Sequence, residues 1–363
     1  MRTLIMLVCL GCLAGCGDDG PDAPPRLPQL VDNGGPRLGH VQVVPIYFAD
    51  DPDAGVLTAF YRWIVTSSWL TTVGAEYGVG HGSVLATVQR TDAAPLEIDD
   101  AQIIDLLYQG LADGSLPQPT TDGGDVLYVV HFPLQTTVTA GSGTSCVDFG
   151  GYHASARRDG VELAYAVIPA CSEFARGFLD VEGREYAASH ELIEAATDPY
   201  PANQPGFQLR DRTSTWRALG EEVGDLCVRG DETGVHREAG FVATRSWSNA
   251  AAAAEQDPCL PAQGPATYFN VVTSSRTVLR IPPGSHQPVE LVAWAQDTLP
   301  DWTVSVQAAD DTQATLTLGV TQLGPGKSAT LDFAVAASTA IGAPVRGYVV
   351  SAGTSTYQYL PLL

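Results

Sequence analysis

Ser189-His190-Glu191-Leu192-Ile193-Glu194-Ala195-Ala196-Thr197-Asp198-Pro199 sets one histidine and two glutamates on what reads as a single short helix. Residues four apart share a helix face, so His190 and Glu194 can point at one ion while Glu191 sits beside them. The spacing is that of an HExxH helix, whose first glutamate is the general base for a metal-bound water, with Glu194 standing where the second histidine would be. The replacement makes the donor set richer in oxygen, and such a set selects zinc less decisively than two imidazoles do. Two glutamates and a histidine also describe an ordinary solvated helix face. The rest of the chain has to decide between these readings.

At the N-terminus, Met1-Arg2, the apolar stretch from Leu4 to Leu13 and the sequence Leu13-Ala14-Gly15-Cys16 read as a signal peptide with a lipobox. The apolar run is too short to span a bilayer, and no other segment is long and apolar enough to do so. Residues 1–15 are expected to be removed, leaving Cys16 to carry the lipids and anchor a soluble body to a membrane. Gly17 directly after Cys16 favours the outer membrane or cell surface. Residues 16–37, rich in Asp, Gly and Pro, are expected to form a flexible tether, with order beginning near Leu38. A net charge of −22, from 41 acidic against 19 basic residues, argues against nucleic acid or anionic lipid headgroups as partners.

Four cysteines follow the signal: Cys146, Cys171, Cys227 and Cys259. An even number in an exported chain predicts two disulfides. Three pairings are open, and Cys146 with Cys171 and Cys227 with Cys259 is favoured because each closes a local loop. No two of these four form a CxxC pair, which argues against a cysteine-ligated zinc or a redox dithiol.

The pattern of elements predicts an α+β protein. His40 to Phe48 is β-rich, Ala54 to Trp69 has helical spacing, and Asp99 and Asp100 can cap a helix carrying Ile103, Leu107 and Leu111. Val126 to Phe132 and Leu163 to Pro169 are apolar strands, and the His190 helix follows. The texture changes between Asn249 and Pro265, which predicts a linker or seam. Beyond it, short alternating runs near Val278–Ile281, Val289–Trp294, Trp302–Gln307, Ala314–Val320, Ala329–Val335 and Val345–Val350 predict an all-β, Ig-like sandwich. The expected units are therefore 38–262, a metal-site α/β domain, and 266–363, a sandwich serving as spacer or binding module.

In its order of features, the stretch from Leu38 to Leu260 resembles the phosphate-induced, EXORDIUM-like family, whose motif is zincin-like. The resemblance rests on Trp69-Leu70-Thr71-Thr72-Val73-Gly74-Ala75-Glu76-Tyr77, the strand Val126 to Phe132, Cys146, Gly150-Gly151-Tyr152-His153 and Cys171. Its strongest residues are Ser189 to Glu194 with Thr197-Asp198-Pro199, and Glu222-Val223-Gly224-Asp225-Leu226-Cys227. It does not reach the C-terminal sandwich. What it implies is a site rather than a substrate, with Glu222 as the third metal ligand.

Spacing alone leaves that ligand open. Glu221 with Asp225 has the ExxxD arrangement of thermolysin-like enzymes, and Asp225 and Asp198 are natural acceptors for a His190 ring N–H. His153, in a glycine-flanked loop after Cys146, could reach the site as a ligand or as a donor to a developing oxyanion. The other histidines read as structural, and the absence of a GxSxG elbow argues against serine catalysis. The leading expectation is a metal-dependent, peptidase-like hydrolase holding one divalent ion, zinc foremost, on His190, Glu194 and Glu222. Glu191, with His153 near, would act on a metal-bound water. The rival is a non-catalytic, metal-stabilised surface protein that binds a peptide or cell-surface polymer.

Overall fold

The computed structural model describes residues 27–119, 125–172, 180–212, 214–228, 234–263, 268–273, 279–308, 310–353 and 357–362. The signal peptide and Cys16 lie outside the described residues. Strand Gln42–Tyr47 pairs in parallel with Val126–Phe132, which pairs in parallel with Val161–Pro169. Tyr152–Arg158 closes one edge in the antiparallel sense, and the short strands Ser83–Val84 and Val88–Gln89 flank the first strand on the other side. Strands covered on both faces need apolar residues at every position. Val126–Phe132 meets that need at all positions but one: Leu127 and Val129 enter one core, Val126, Tyr128, Val130 and Phe132 enter the other, and the buried His131 has its Nε2 2.9 Å from the Tyr61 hydroxyl.

Helix α1 (Ala54–Ile64), helix α2 (Ser68–Gly74) and helix α4 (Asp180–Thr197) supply the first core, and helix α3 (Asp100–Asp113) supplies the second. Asp99 and Gln102 form a reciprocal capping box at the start of α3. Helix α4 lies between the central sheet and the strand Phe241–Thr244. Thus Ala188, Ser189 and every residue from Glu191 to Thr197 are buried. A helix covered on all sides cannot show an amphipathic stripe, and its carboxylates have to find partners inside the protein.

Beyond residue 268 two four-stranded antiparallel sheets share a third core. One is ordered Phe269–Thr273, His286–Ala295, Ser328–Val335, Ala314–Leu318, and the other Gln322–Leu323, Trp302–Ala308, Gly347–Ala352, Tyr357–Leu362. Val271, Leu291, Val304, Leu331 and Val349 meet between them. The whole is α+β.

Several sequence expectations change. The tether stops earlier than residue 37, because Leu27 and Leu30 are buried and Val31–Asp32 pairs with Phe207–Gln208. The helix expected over 54–69 is two, since the Ser67 hydroxyl accepts from Leu70 N–H and starts α2 afresh. Residues 249–260 are no linker: Asn249 exchanges two hydrogen bonds with the Leu30 backbone, and Cys259 is buried. The run near Val278–Ile281 forms no strand over its described residues 279–281, and Phe269–Thr273 takes the edge position instead. The disulfides are Cys146–Cys171 and Cys227–Cys259, the local pairing expected. Such bonds belong to a chain that folds in an oxidising compartment.

Candidate metal centre

Helix α4 is fixed at both ends before its ionisable residues meet anything. Near its start Arg184, 1% exposed, donates to both oxygens of Asp51 at 2.8 and 2.6 Å and to Asp53 at 3.0 Å. Along its outer side, Val242 N–H donates to Glu185 at 2.9 Å and Thr244 N–H to the Ser189 hydroxyl at 2.8 Å. Ser189 is thereby occupied in holding the helix. At its end, the Asp198 carboxylate accepts from Gly206 N–H and the Gln208 amide, each at 2.7 Å.

These contacts leave His190, Glu191 and Glu194 facing the edge strand and the 222–225 segment. His190 Nε2 lies 3.1 Å from Glu194 Oε1 and 3.7 Å from Asp225 Oδ1. The other Glu194 oxygen lies 3.6 Å from His153 Nδ1, and Glu191 Oε2 lies 3.4 Å from the same nitrogen. His153 Nε2 is 3.2 Å from the Asp198 carbonyl and 3.6 Å from Glu222 Oε2. Backbone donors hold the acidic segment: Asp225 N–H donates to Glu194 at 3.1 Å, and Glu221 and Glu222 N–H donate to Asp225 at 2.9 and 3.1 Å.

Glycines allow this closeness. A Cβ on Gly224 would stand 2.8 Å from both Glu194 Oε1 and the His190 ring, and one on Gly151 would stand 3.0 Å from Glu191 Oε1.

The charges are strongly coupled. Burial pulls both imidazoles down, but the carboxylates win. Glu222, Glu191 and Glu194 push His153 up to about 10, and Glu194, Glu191 and Asp225 hold His190 well above the ordinary histidine range. Burial raises Asp225 to about 7, with Glu194 adding repulsion that His190 only partly offsets. Glu222 is pushed well up by burial against the pull of His153, with further repulsion from Glu194 and Asp225. Glu194 is the exception: burial raises it, yet His190 and His153 hold it below the usual carboxylate range.

Of the residues singled out in the sequence, His153, His190, Glu191, Glu194, Glu222 and Asp225 converge. Two groups of ligand atoms lie within mutual reach, one from His190, Glu194 and Asp225 and one from His153, Glu194 and Glu222. Glu222 therefore stands with His153, rather than in one set with His190. Glu221 turns away to pair with Arg217, and the Asp198 carboxylate is spent on Gly206 and Gln208, leaving only its carbonyl at the site. His153 is in a strand, not a loop: it sits on Tyr152–Arg158 opposite Ala166. The edge strand gives little signal because its apolar alternation, Tyr152, Ala154 and Ala156, is carried by one aromatic residue and two alanines. Nothing in the sequence points to the Arg184 network or to the close approach that Gly224 allows within its motif, since an arginine on a helix and a glycine before an aspartate are unexceptional there.

The donors fit a divalent cation. About 2.0–2.1 Å bonds to a tetrahedral ion put its ligand atoms about 3.3 Å apart, and the separations of 3.1 to 3.7 Å around Glu194 bracket that spacing. His190 Nδ1 is buried with no hydrogen-bond partner.

Fold and site together define an α+β protein with a buried histidine–carboxylate cluster. No family model matches the chain, and no curated protein matches it. Solved structures that overlap it include domains 4 and 5 of the S-layer protein SbsC, at 15% identity and a TM-score of 0.21, over 26% of this chain and 51% of that one. Domains 1–6 of the surface layer protein SbsC overlap it at 15% identity and a TM-score of 0.21, over 26% of this chain and 13% of that one. The chain thus spans about half the length of the first. Overlaps this slight bear on neither fold nor function.

Proposed function

We propose that this protein is an exported, lipid-anchored, metal-dependent hydrolase of zincin type, peptidase-like in its chemistry, with an Ig-like module after residue 266. The observation that carries this reading is the position of Glu191. It is buried, its carboxylate lies 3.4 Å from His153, and it belongs to neither ligand group. It is a proton acceptor placed among ligands without being needed as one.

Either His190, Glu194 and Asp225 or His153, Glu194 and Glu222 would hold a divalent cation, zinc foremost. When bound, the ion supplies Lewis-acid polarisation of the scissile carbonyl and of water. Glu191 accepts the proton of the attacking water and returns it to the leaving amine as the amide C–N bond breaks. Asp225 keeps its carboxylate oriented through the Glu221 and Glu222 N–H groups.

The full chain, loaded with zinc or manganese, is tested on a peptide library. Glu191→Gln is expected to lower turnover at least about 100-fold with metal content unchanged. Undiminished turnover in that variant refutes the mechanism, and failure of chelator to alter activity or melting refutes the metal.

One observation favours a second reading. Glu191, Glu194 and His153 are only about 5–6% exposed at their side chains, as in a closed structural site. A loaded wild type that retains metal and hydrolyses nothing, while binding a peptide or cell-surface polymer, is the result this reading expects.

A further inference from the structure

We propose that the cluster is built for two divalent cations bridged by Glu194, which rests on the metal-centre reading above and extends it. The two ligand groups share Glu194 and nothing else. They share it through different atoms: Oε1 faces His190 and Asp225, and Oε2 faces His153. One carboxylate presenting one oxygen to each of two imidazole-bearing sites is the arrangement of a bridging ligand, and two-metal centres hold their ions about 3.5–4 Å apart.

His153 is oriented for that duty. Its Nε2 lies 3.2 Å from the Asp198 carbonyl, a backbone acceptor that suits the tautomer with the proton on Nε2, and its Nδ1 lies 3.6 Å from Glu194 and 3.4 Å from Glu191. The ring is 5% exposed at its side chain, so this orientation is held by packing as well.

The test is metal stoichiometry on the full chain, purified in detergent, stripped with chelator and titrated with manganese. Two equivalents per chain are expected, with electron paramagnetic resonance showing an exchange-coupled pair. His153→Ala should retain one equivalent and lose the coupling, with His153→Gln replacing it if the smaller side chain impairs folding. One equivalent in the wild type overturns the bridge and leaves the single-ion hydrolase standing. No bound ion overturns both.

Discussion

Gly224 is the residue on which the closeness of the site turns. Its backbone is in the right-handed helical region, at φ −73°, so alanine would be accepted conformationally and the whole effect of a Cβ is steric. That Cβ would press at 2.8 Å on Glu194 Oε1, which is buried, and on the half-buried His190 ring, both on a helix packed between the sheet and the strand Phe241–Thr244. Gly224→Ala is therefore expected to weaken metal binding about 10- to 100-fold, the range for disturbed ligand support. Circular dichroism should be unchanged, and isothermal titration with zinc measures the loss. Affinity equal to wild type would show that the 222–225 segment is free to move off the helix. The same residues mark how far the sequence could be read. His190, Glu191 and Glu194 were legible because helix periodicity converts spacing into a shared face. The choice among Glu221, Glu222 and Asp225 was not, because in an irregular segment each successive side chain can point anywhere, and backbone N–H bonds to Asp225 fixed their directions.

At the scale of elements, α4 is the part the sequence described best and explained least. A helix was plain, but its mixed composition suits a surface face, whereas the strand Phe241–Thr244 buries it from the side opposite the sheet. The cost of that burial falls on Glu185. Its carboxyl is 2% exposed, and burial raises its pKa from 4.5 to about 7, with the Val242 N–H and Arg237 opposing and Glu182 adding to the rise. A carboxyl raised in the folded state favours folding at low pH. Its contribution is complete below the unfolded value near 4.5 and is lost as pH climbs through about 7. Glu185→Gln keeps an acceptor for Val242 and removes the charge. It is expected to match wild type at pH 5 and to exceed it at pH 8, by at most about 3 kcal/mol for a shift of this size. Urea melts at the two pH values measure the difference, and an equal stability change at both would show that the hydrogen bond, and not the charge, is what matters. The edge strand Tyr152–Arg158 is the opposite case: Tyr152, Ala154 and Ala156 pack on the second core, but one aromatic residue and two alanines make a weak strand pattern, which antiparallel pairing with Val161–Pro169 completes.

For the whole molecule, the question is what keeps three distant stretches, 150–153, 190–194 and 222–225, at one point. Helix α4 is held by Arg184 and by the strand above it, but the other two stretches are irregular at their ends and each lies near a disulfide. Cys146–Cys171 ties the chain just before Gly151 and His153 to the segment that follows Val161–Pro169, and Cys227–Cys259 ties the chain just after Asp225 to the strand beside Trp247. Closing loops of 25 and 32 residues stabilises each by about 3–4 kcal/mol through the unfolded chain. Here each bond also fixes one wall of the site. The local pairing could be read from the sequence by loop length, whereas its relation to the site could not, since that depends on which sheet edge His153 occupies. Reduction should consequently act on the two walls separately. Cys227→Ser with Cys259→Ser is expected to lower the thermal transition and to weaken binding at the His190 and Asp225 side. Cys146→Ser with Cys171→Ser should weaken the His153 side and spare the other. Calorimetry and zinc titration of the two double variants distinguish these outcomes. Unaltered metal affinity in both would mean that the sheet and α4 hold the cluster without covalent help, and that the disulfides serve only stability.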